Sequence, residues 1–407
     1  MAEPRRVVIA GYVRSPFTPA AKGDLKDIRA DDLVAQTVKG LIDKTGVDPK
    51  LIEDLKLGCA FPEGEQGYNM ARNVVFLAGL PKEIAGVTTN RFCGSSMQTI
   101  HDAVGMISAG MADAVICAGV ESMSHMPMGG FNPMIHPDMY REHPEFFASM
   151  GETAENVADR FHVTREMQEE FSVLSQQKAA RAQKEQAFRD EIIAITTPAG
   201  KVVTEDGCPR ADTTLDNVKR LKPVFKAAGS VTAATSSPLT DGASAVLVVS
   251  EDFAKEHGLT ILARIKSFAI SGCDPDIMGM GPVESMNKAM AKAGITADDI
   301  DILEINEAFA VQAKACIDQL GIPVEKVNKD GGAIALGHPL GASGARITGK
   351  AAQLLHKEGA RYAASTMCIG GGQGIATILE NPANDNNPAP PKAAAKPKIT
   401  CCIPPKG

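Results

Sequence analysis

Tryptophan is absent from the 407 residues, and all aromatics together make up only 4% of the chain. A core with so few rings must be built from aliphatic and small side chains. The 38 glycines fit that construction, because they let backbones approach one another and a ligand closely. No apolar run reaches the roughly 20 residues that a membrane-spanning helix needs. The apolar stretch at residues 7–11 is too short for a secretory signal and reads as a first β-strand. Basic charge is not in excess: 42 Lys and Arg stand against 49 Asp and Glu, for a net charge of −7. That balance argues against a non-specific nucleic-acid binder. The nine cysteines include no C-x-x-C pair, so reduced thiols in a reducing compartment, the cytoplasm, are expected. His125, His136 and His143 are spaced too irregularly for a zinc site, and no metal is expected.

What is present is 44% apolar and 22% charged, too apolar for disorder and long enough for two or three domains. Short β-branched runs at 7–9, 115–116, 245–249 and 300–305 alternate with helical patterns at 31–43 and 96–109. This alternation predicts parallel sheets covered by helices, an α/β fold. An internal repeat is also visible. Residues 34–57 and 285–305 both read helix, Gly stop (Gly46, Gly294), Asp-rich turn and strand. Residues 93–119 and 342–368 both read Gly/Ser-rich turn, helix and apolar strand, so two related halves are expected. The halves are 1–120 with 240–262, and 263–381. Residues 121–239, Met- and His-rich and then polar and helical from about 164 to 188, form an insertion on the first half. The Asn/Pro/Ala/Lys-rich stretch 382–407 reads as a disordered tail.

Four places are equipped for chemistry. Cys93, in Asn90-Arg-Phe-Cys93-Gly-Ser-Ser96, stands just before an amphipathic helix, whose free N–H groups and dipole favour a thiolate. His338 lies between Gly337 and Pro339 in a segment with five glycines, and its ring suits proton transfer from a thiol. Cys368 precedes Gly370-Gly371-Gly372, where uncovered backbone N–H groups suit an oxyanion. Asn306 stands at a strand-to-helix junction. Each has a plain alternative: a structural Cys, a structural His, a Gly-rich turn, a helix cap. The run Lys219-Arg220-Leu-Lys222-Pro-Val-Phe-Lys226 is either solvated surface or a contact for a phosphorylated ligand. Residues 344–350 match P-loop spacing, but Ala351 replaces the hydroxyl residue and the segment looks helical.

Taken together, the motifs resemble the thiolase family over about residues 5–380. Asn90-Arg-Phe-Cys93-Gly-Ser-Ser is similar to the nucleophile segment of that family. Asn306-Glu-Ala-Phe309, Gly337-His338-Pro339 and Cys368-Ile-Gly-Gly-Gly372 resemble its other active-site blocks. Met150-Gly-Glu-Thr-Ala-Glu-Asn-Val157, Ser175-Gln-Gln-Lys178 and Val231-Thr-Ala with Asp241-Gly-Ala resemble its loop-domain landmarks. The resemblance implies a duplicated five-layered α-β-α-β-α fold with an inserted loop domain. It implies ping-pong Claisen chemistry on coenzyme A thioesters, with CoA as substrate and no other cofactor.

In that scheme Cys93 is the nucleophile, His338 its base, and Cys368 the acid/base for the enolate. Asn306, through a water, and His338 would hold one oxyanion, and the N–H groups of Cys93 and Gly370 the other. Ala233, Ser237, Ala308 and Phe309 match pantetheine-channel positions, with Met150, Lys219 and Arg220 as further CoA contacts. Ser149 stands where short-chain relatives carry His, and Ala233-Ala-Thr-Ser-Ser237-Pro departs from their pattern. The chain is more similar to the thiolase subunit of bacterial fatty-acid β-oxidation complexes. Cleavage of 3-ketoacyl-CoA is therefore expected, with acetoacetyl-CoA thiolysis or a non-catalytic thiolase-fold subunit as alternatives. A homodimer or tetramer and a hydratase/dehydrogenase partner subunit complete the expectations.

Overall fold

The computed structural model describes residues 5–386. The chain builds one ten-stranded sheet made of two halves. The principal strands are β1 (Val7–Arg14), β2 (Asp54–Gly58), β3 (Ala85–Thr89), β4 (Ala114–Ser122), β5 (Thr240–Ser250), β6 (Ala263–Gly272), β7 (Ile302–Ile305), β8 (Tyr362–Ile369) and β9 (Gln373–Glu380). Their order is β7-β8-β9-β6-β1-β5-β4-β2-β3. Only the outer pairs β7–β8, β4–β2 and β2–β3 are parallel, and the central pairs are antiparallel. The all-parallel sheet expected from strand–helix alternation is thus corrected. β5 re-enters the sheet after the helical insertion, antiparallel to both β1 and β4, and β9 returns directly from β8 as a hairpin.

The halves repeat each other. β1-β5-β4-β2-β3 corresponds to β6-β9-β8-β7, where the fifth strand shrinks to a parallel bridge from Leu303 to Val327. Helices α1 (Ala30–Thr45) and α6 (Gly281–Ala293) both stop at a left-handed glycine, Gly46 and Gly294, as the repeat predicts. The other main helices are α2 (Met70–Leu77), α3 (Ser95–Ser108), α4 (Met150–Phe161), α5 (Arg165–Lys184), α7 (Ala310–Leu320) and α8 (Ser343–Glu358).

Three main cores hold the layers together. One buries Val34, Leu41 and Val74 of α1 and α2 on Leu55 and Leu247. The central one packs Ile100 and Ala103 of α3 with Ala351 and Leu355 of α8 between Val115 and Ala363. The third buries Met286, Val311 and Ile317 on Ile305 and Ile378. Gly344 lets α8 meet α3, since a Cβ there would lie 2.4 Å from the Met97 nitrogen. The segment with P-loop spacing is inside α8, and its Lys350 is buried against Glu191 and Asp330.

The insertion interrupts the first half, yet it packs on the second. Ser175 of α5 donates to Glu307 at 2.7 Å, and Lys178 Nζ donates to the Val327 carbonyl at 2.6 Å. Ser149, read above as a branch marker, also acts locally, capping α4 in a reciprocal box with Glu152. The expected tail needs one correction. Pro382–Asn386 is a 3-10 turn, with Asn384 Nδ2 donating to the Arg361 carbonyl at 3.0 Å. Residues 387–407 lie outside the described residues.

One ion cluster ties the first strand, the insertion and α8 together. Arg14 is fully buried; its Nε donates to Glu191 at 2.7 Å, and Nη1 and Nη2 donate to Asp206 at 2.6 and 2.8 Å. Lys350 Nζ donates to the second Glu191 oxygen at 2.9 Å. Arg14→Leu leaves buried carboxylates short of a cation, and a loss of about 3–5 kcal/mol is expected in chemical unfolding. Burial alone would raise the Glu191 carboxyl, but Lys350 and Arg14 outweigh it and hold it below its ordinary value. A folded-state value below the unfolded one stabilises above the carboxylate range, and that stability is lost as pH falls through it. The unfolding midpoint should therefore drop on acidification, less so in Arg14→Leu.

Candidate active site

The loop between β3 and α3 is held in a strained shape. Phe92 has φ +44°, rare for a bulky residue. Asn90 Oδ1 accepts from the Phe92 N–H at 2.8 Å, and Ser95 Oγ accepts from the Arg91 N–H at 2.9 Å. The next residue, Cys93, points into a small apolar cluster with Met97, Leu340, Ile369 and Ile375.

The β8–β9 hairpin faces this loop. Its turn is Gly370-Gly371-Gly372, with φ +77° and +80° at the last two, conformations that favour glycine. Arg91 joins the two segments, donating from Nε to Gln98 at 2.8 Å and from Nη1 to Gln373 at 2.9 Å. Burial pushes the Cys93 thiol up to about 12, and the N–H groups of Gly370 and of Cys93 itself pull the other way. The thiolate expected from the helix N-terminus is corrected: segments remote in sequence dehydrate the sulfur, and that outweighs the helix end. Cys368, 1% exposed at the end of β8, is likewise pushed up by burial, with Cys93 as the next contribution.

His338 lies on the loop between Leu336 and α8. Its Nδ1 is 2.6 Å from Ser343 Oγ, which donates to the Pro339 carbonyl at 3.0 Å. The hydroxyl proton is thus used, so Nδ1 carries the imidazole hydrogen and Nε2 keeps its lone pair. Asn306 Nδ2 donates to that Nε2 at 3.2 Å. Burial, then the Arg346 charge, lowers His338 to about 3, so the ring is neutral at working pH. Asn306 caps no helix: α7 begins at Ala310, with Phe309 in the cap position. Its Oδ1 is buried without a partner, a polar atom free for a substrate or water.

Two buried carboxylates fix the surrounding loops. Glu307 accepts from Ser175, from Asn328 Nδ2 at 2.7 Å and from the Ile334 N–H at 3.1 Å. Glu121 accepts from the Ala60 and Gly341 N–H groups, each at 2.9 Å, and from Gln66 at 2.7 Å. Sequence reasoning passes over both, and over Ser343. Glu307 stands inside a motif already singled out, whereas Glu121 ends an apolar strand with no local signal.

The expected pantetheine positions divide. Ser237 donates through N–H and Oγ to the Ala308 carbonyl at 3.0 and 3.1 Å, and Ser236 bridges to Phe309. Ala233 opens the short turn before them and is exposed. Phe225, which carries no sequence signal, stacks edge-on with Phe309 at 5.9 Å and lies against Gly151, next to Met150. Lys219 and Arg220 are exposed on the loop leading to Phe225. Lys219 Nζ is 4.0 Å from Glu166, and no hydrogen bond or ion pair joins either residue to the Cys93–His338 cluster among the described residues.

Two buried thiols, a neutral imidazole whose Nε2 accepts from Asn306, and the unpartnered Asn306 Oδ1 make a site equipped for acyl transfer. Among the described residues no His/Cys/Asp/Glu cluster could hold a metal, and no helix is long and apolar enough to cross a membrane.

Comparison with known proteins agrees with this geometry. Residues 7–252 match the thiolase N-terminal domain and residues 259–381 the thiolase C-terminal domain. The chain is 48% identical over 382 residues to the 3-ketoacyl-CoA thiolase of Pseudoalteromonas translucida (strain TAC 125), covering 92% of this chain and 98% of that one. Its structure is similar to human mitochondrial 3-ketoacyl-CoA thiolase in complex with CoA: TM-score 0.86, 38% identity, 93% of this chain and 98% of that one. It is also similar to the Bacillus anthracis acetyl-CoA acetyltransferase: TM-score 0.85, 36% identity, 93% and 99% covered. With both domains matched along almost the whole described chain, this protein belongs to the thiolase family.

Proposed function

We propose that this chain is a 3-ketoacyl-CoA thiolase, cleaving 3-ketoacyl-CoA with CoA to acetyl-CoA and a shortened acyl-CoA in fatty-acid β-oxidation. The observation that carries the reading is the buried thiol of Cys93 beside the Gly370 turn, with Cys368 next to it and a neutral His338 whose Nε2 lone pair faces Asn306 Nδ2.

The sulfur of Cys93 attacks the keto carbon, and its proton passes to His338 Nε2. The oxyanion formed on that carbon is held by the N–H groups of Cys93 and Gly370. The carbon–carbon bond then breaks, and its electron pair becomes an acetyl-CoA enolate. Protonated His338 and Asn306 hold the enolate oxygen, and the Cys368 thiol protonates the carbon. Incoming CoA gives its thiol proton to Cys368 and attacks the acyl-Cys93 thioester. The oxyanion returns to the same pair of N–H groups, acyl-CoA departs, and Cys93 regains the proton from His338.

The pantetheine arm fits the wall of Ala233, Ser237, Ala308, Phe309 and Met150, and exposed Lys219 and Arg220 supply cations for CoA phosphates. The unpaired edge of β3, beside exposed Phe76, Leu77 and Val87, fits a second copy of the chain in a homodimer or tetramer. Seven described cysteines without disulfides agree with a cytoplasmic location.

The test is thiolysis by the purified chain without a hydratase/dehydrogenase subunit. A long-chain 3-ketoacyl-CoA should have a kcat/KM at least about tenfold above that of acetoacetyl-CoA. Activity confined to acetoacetyl-CoA would favour the second reading, an acetyl-CoA C-acetyltransferase, which the likeness to the Bacillus anthracis enzyme supports. A non-catalytic role is disfavoured because Cys93, His338, Asn306 and Cys368 are all present.

A further inference from the structure

Helix α8 carries one polar stripe at helical spacing, Ser343, Arg346 and Lys350, and all three are buried. Ser343 holds Nδ1 of His338, and one turn later Arg346 Nη1 donates to Glu304 at 3.0 Å. Strand alternation on β7 puts Glu304 and Asn306 on the same face. The pair Asn306–His338 and the pair Glu304–Arg346 are therefore successive rungs between one strand and one helix. Arg346 is 2% exposed and Glu304 1%. Their match is incomplete: Nε and Nη2 of Arg346 and Oε1 of Glu304 are buried without partners. Burial also pushes the Glu304 carboxyl up to about 7, against the pull of Arg346 and Lys350. The guanidinium thus meets one carboxylate oxygen through Nη1 and leaves Nε and Nη2 unmatched.

Other ionisable groups surround this pair, and Glu307 feels the Arg346 charge. Glu121 and Glu307 are engaged by the loop N–H and side-chain donors described above, and burial raises both carboxyls. Cys93 and Cys368 are neutral thiols, as is Cys208, next to Gly337. Asp241, beside Thr240, is bound to the N–H and hydroxyl of Ser124.

We propose that Arg346, anchored by Glu304, is a positioning residue whose fixed charge opposes transfer of the Cys93 proton to His338 in the resting site. The transfer would create an imidazolium beside a guanidinium, and like charges in a dehydrated interior resist that. The nucleophile stays masked as a thiol until a bound thioester offers an electrophile and an oxyanion that balances the new positive charge. This rests on the proton exchange proposed above between Cys93 and His338.

The test is the rate of Cys93 carbamidomethylation by iodoacetamide near neutral pH in the full chain, read by mass spectrometry. Removing the charge in Arg346→Met should accelerate it about tenfold, one pKa unit of thiolate–imidazolium formation. Glu304→Gln leaves the cation uncancelled and should slow it. Arg346→Lys should stay within about twofold of the parent. Acceleration in both Arg346→Met and Glu304→Gln would indicate loosened packing and overturn the proposal, as would Arg346→Lys behaving like Arg346→Met. If Arg346→Met does not fold, the direction of change in the isosteric Glu304→Gln decides alone. In a His338→Asn background the Arg346→Met acceleration should vanish, and persistence would also overturn the proposal. Failure of the thiolase reading would be seen separately, as a parent chain that thiolyses no 3-ketoacyl-CoA of any chain length.

Discussion

Cys93→Ala should abolish formation of the acyl-enzyme and lower thiolysis by at least about 10⁴-fold. The sulfur is buried in the cluster with Ile369, next to the Gly370 turn, and on the proposed mechanism it is the attacking atom. Cys368 is the nearest thiol candidate, but burial pushes it well above the ordinary thiol range, so it is poorly ionised as a substitute. The measurement is incubation with a substrate labelled in its acyl chain, followed by peptide mapping. Label on Cys93 in the parent and none in the variant is expected; a labelled adduct that survives the substitution sinks the assignment. Because alanine fits the apolar surroundings of Met97, Leu340 and Ile375, the unfolding midpoint should change little.

His338→Ala should cost about 10²–10⁴ in kcat, the usual contribution of a positioned proton acceptor. Its pH profile should also change shape. In the parent, the imidazole lowered to about 3 is neutral above the acid range, so the rate should be flat around neutrality. Without it, the Cys93 thiol pushed up to about 12 must ionise unaided. The rate should then climb roughly tenfold per pH unit through the neutral and alkaline range. A variant whose profile stays flat would show that the proton leaves Cys93 by another route.

Much of this site is legible in the residues alone. Cys93, His338, Asn306 and Cys368 each sit in a glycine-marked or strand-end segment with few structural uses, and the helix–Gly–strand repeat marks the two halves. The misreadings share a cause. Alternation predicts parallel strands, but it says nothing of β5, which re-enters after a long insertion, or of β9, which turns straight back from β8. The helix following Cys93 predicts a thiolate, whereas ionisation is set by Leu340, Ile369 and Ile375, residues more than two hundred positions away. Ser343, Glu121 and the Glu304–Arg346 pair are invisible for the same reason: a serine or glutamate acquires its meaning from the partner that folding brings to it. Lys219 and Arg220 show the converse, a conspicuous local run that the fold leaves at the surface.

The two halves of the sheet pair only where Val8 and Ile9 of β1 meet Arg264 and Ala263 of β6. Cys93 enters from one half, and His338, Asn306 and Cys368 enter from the other. On the proposed mechanism the duplicated unit is a division of labour, with the electrophile's attacker on one copy and the proton handlers on its twin. Neither copy can be inherited, trimmed or allowed to drift alone without silencing the other, and turnover reports that the two are still correctly joined.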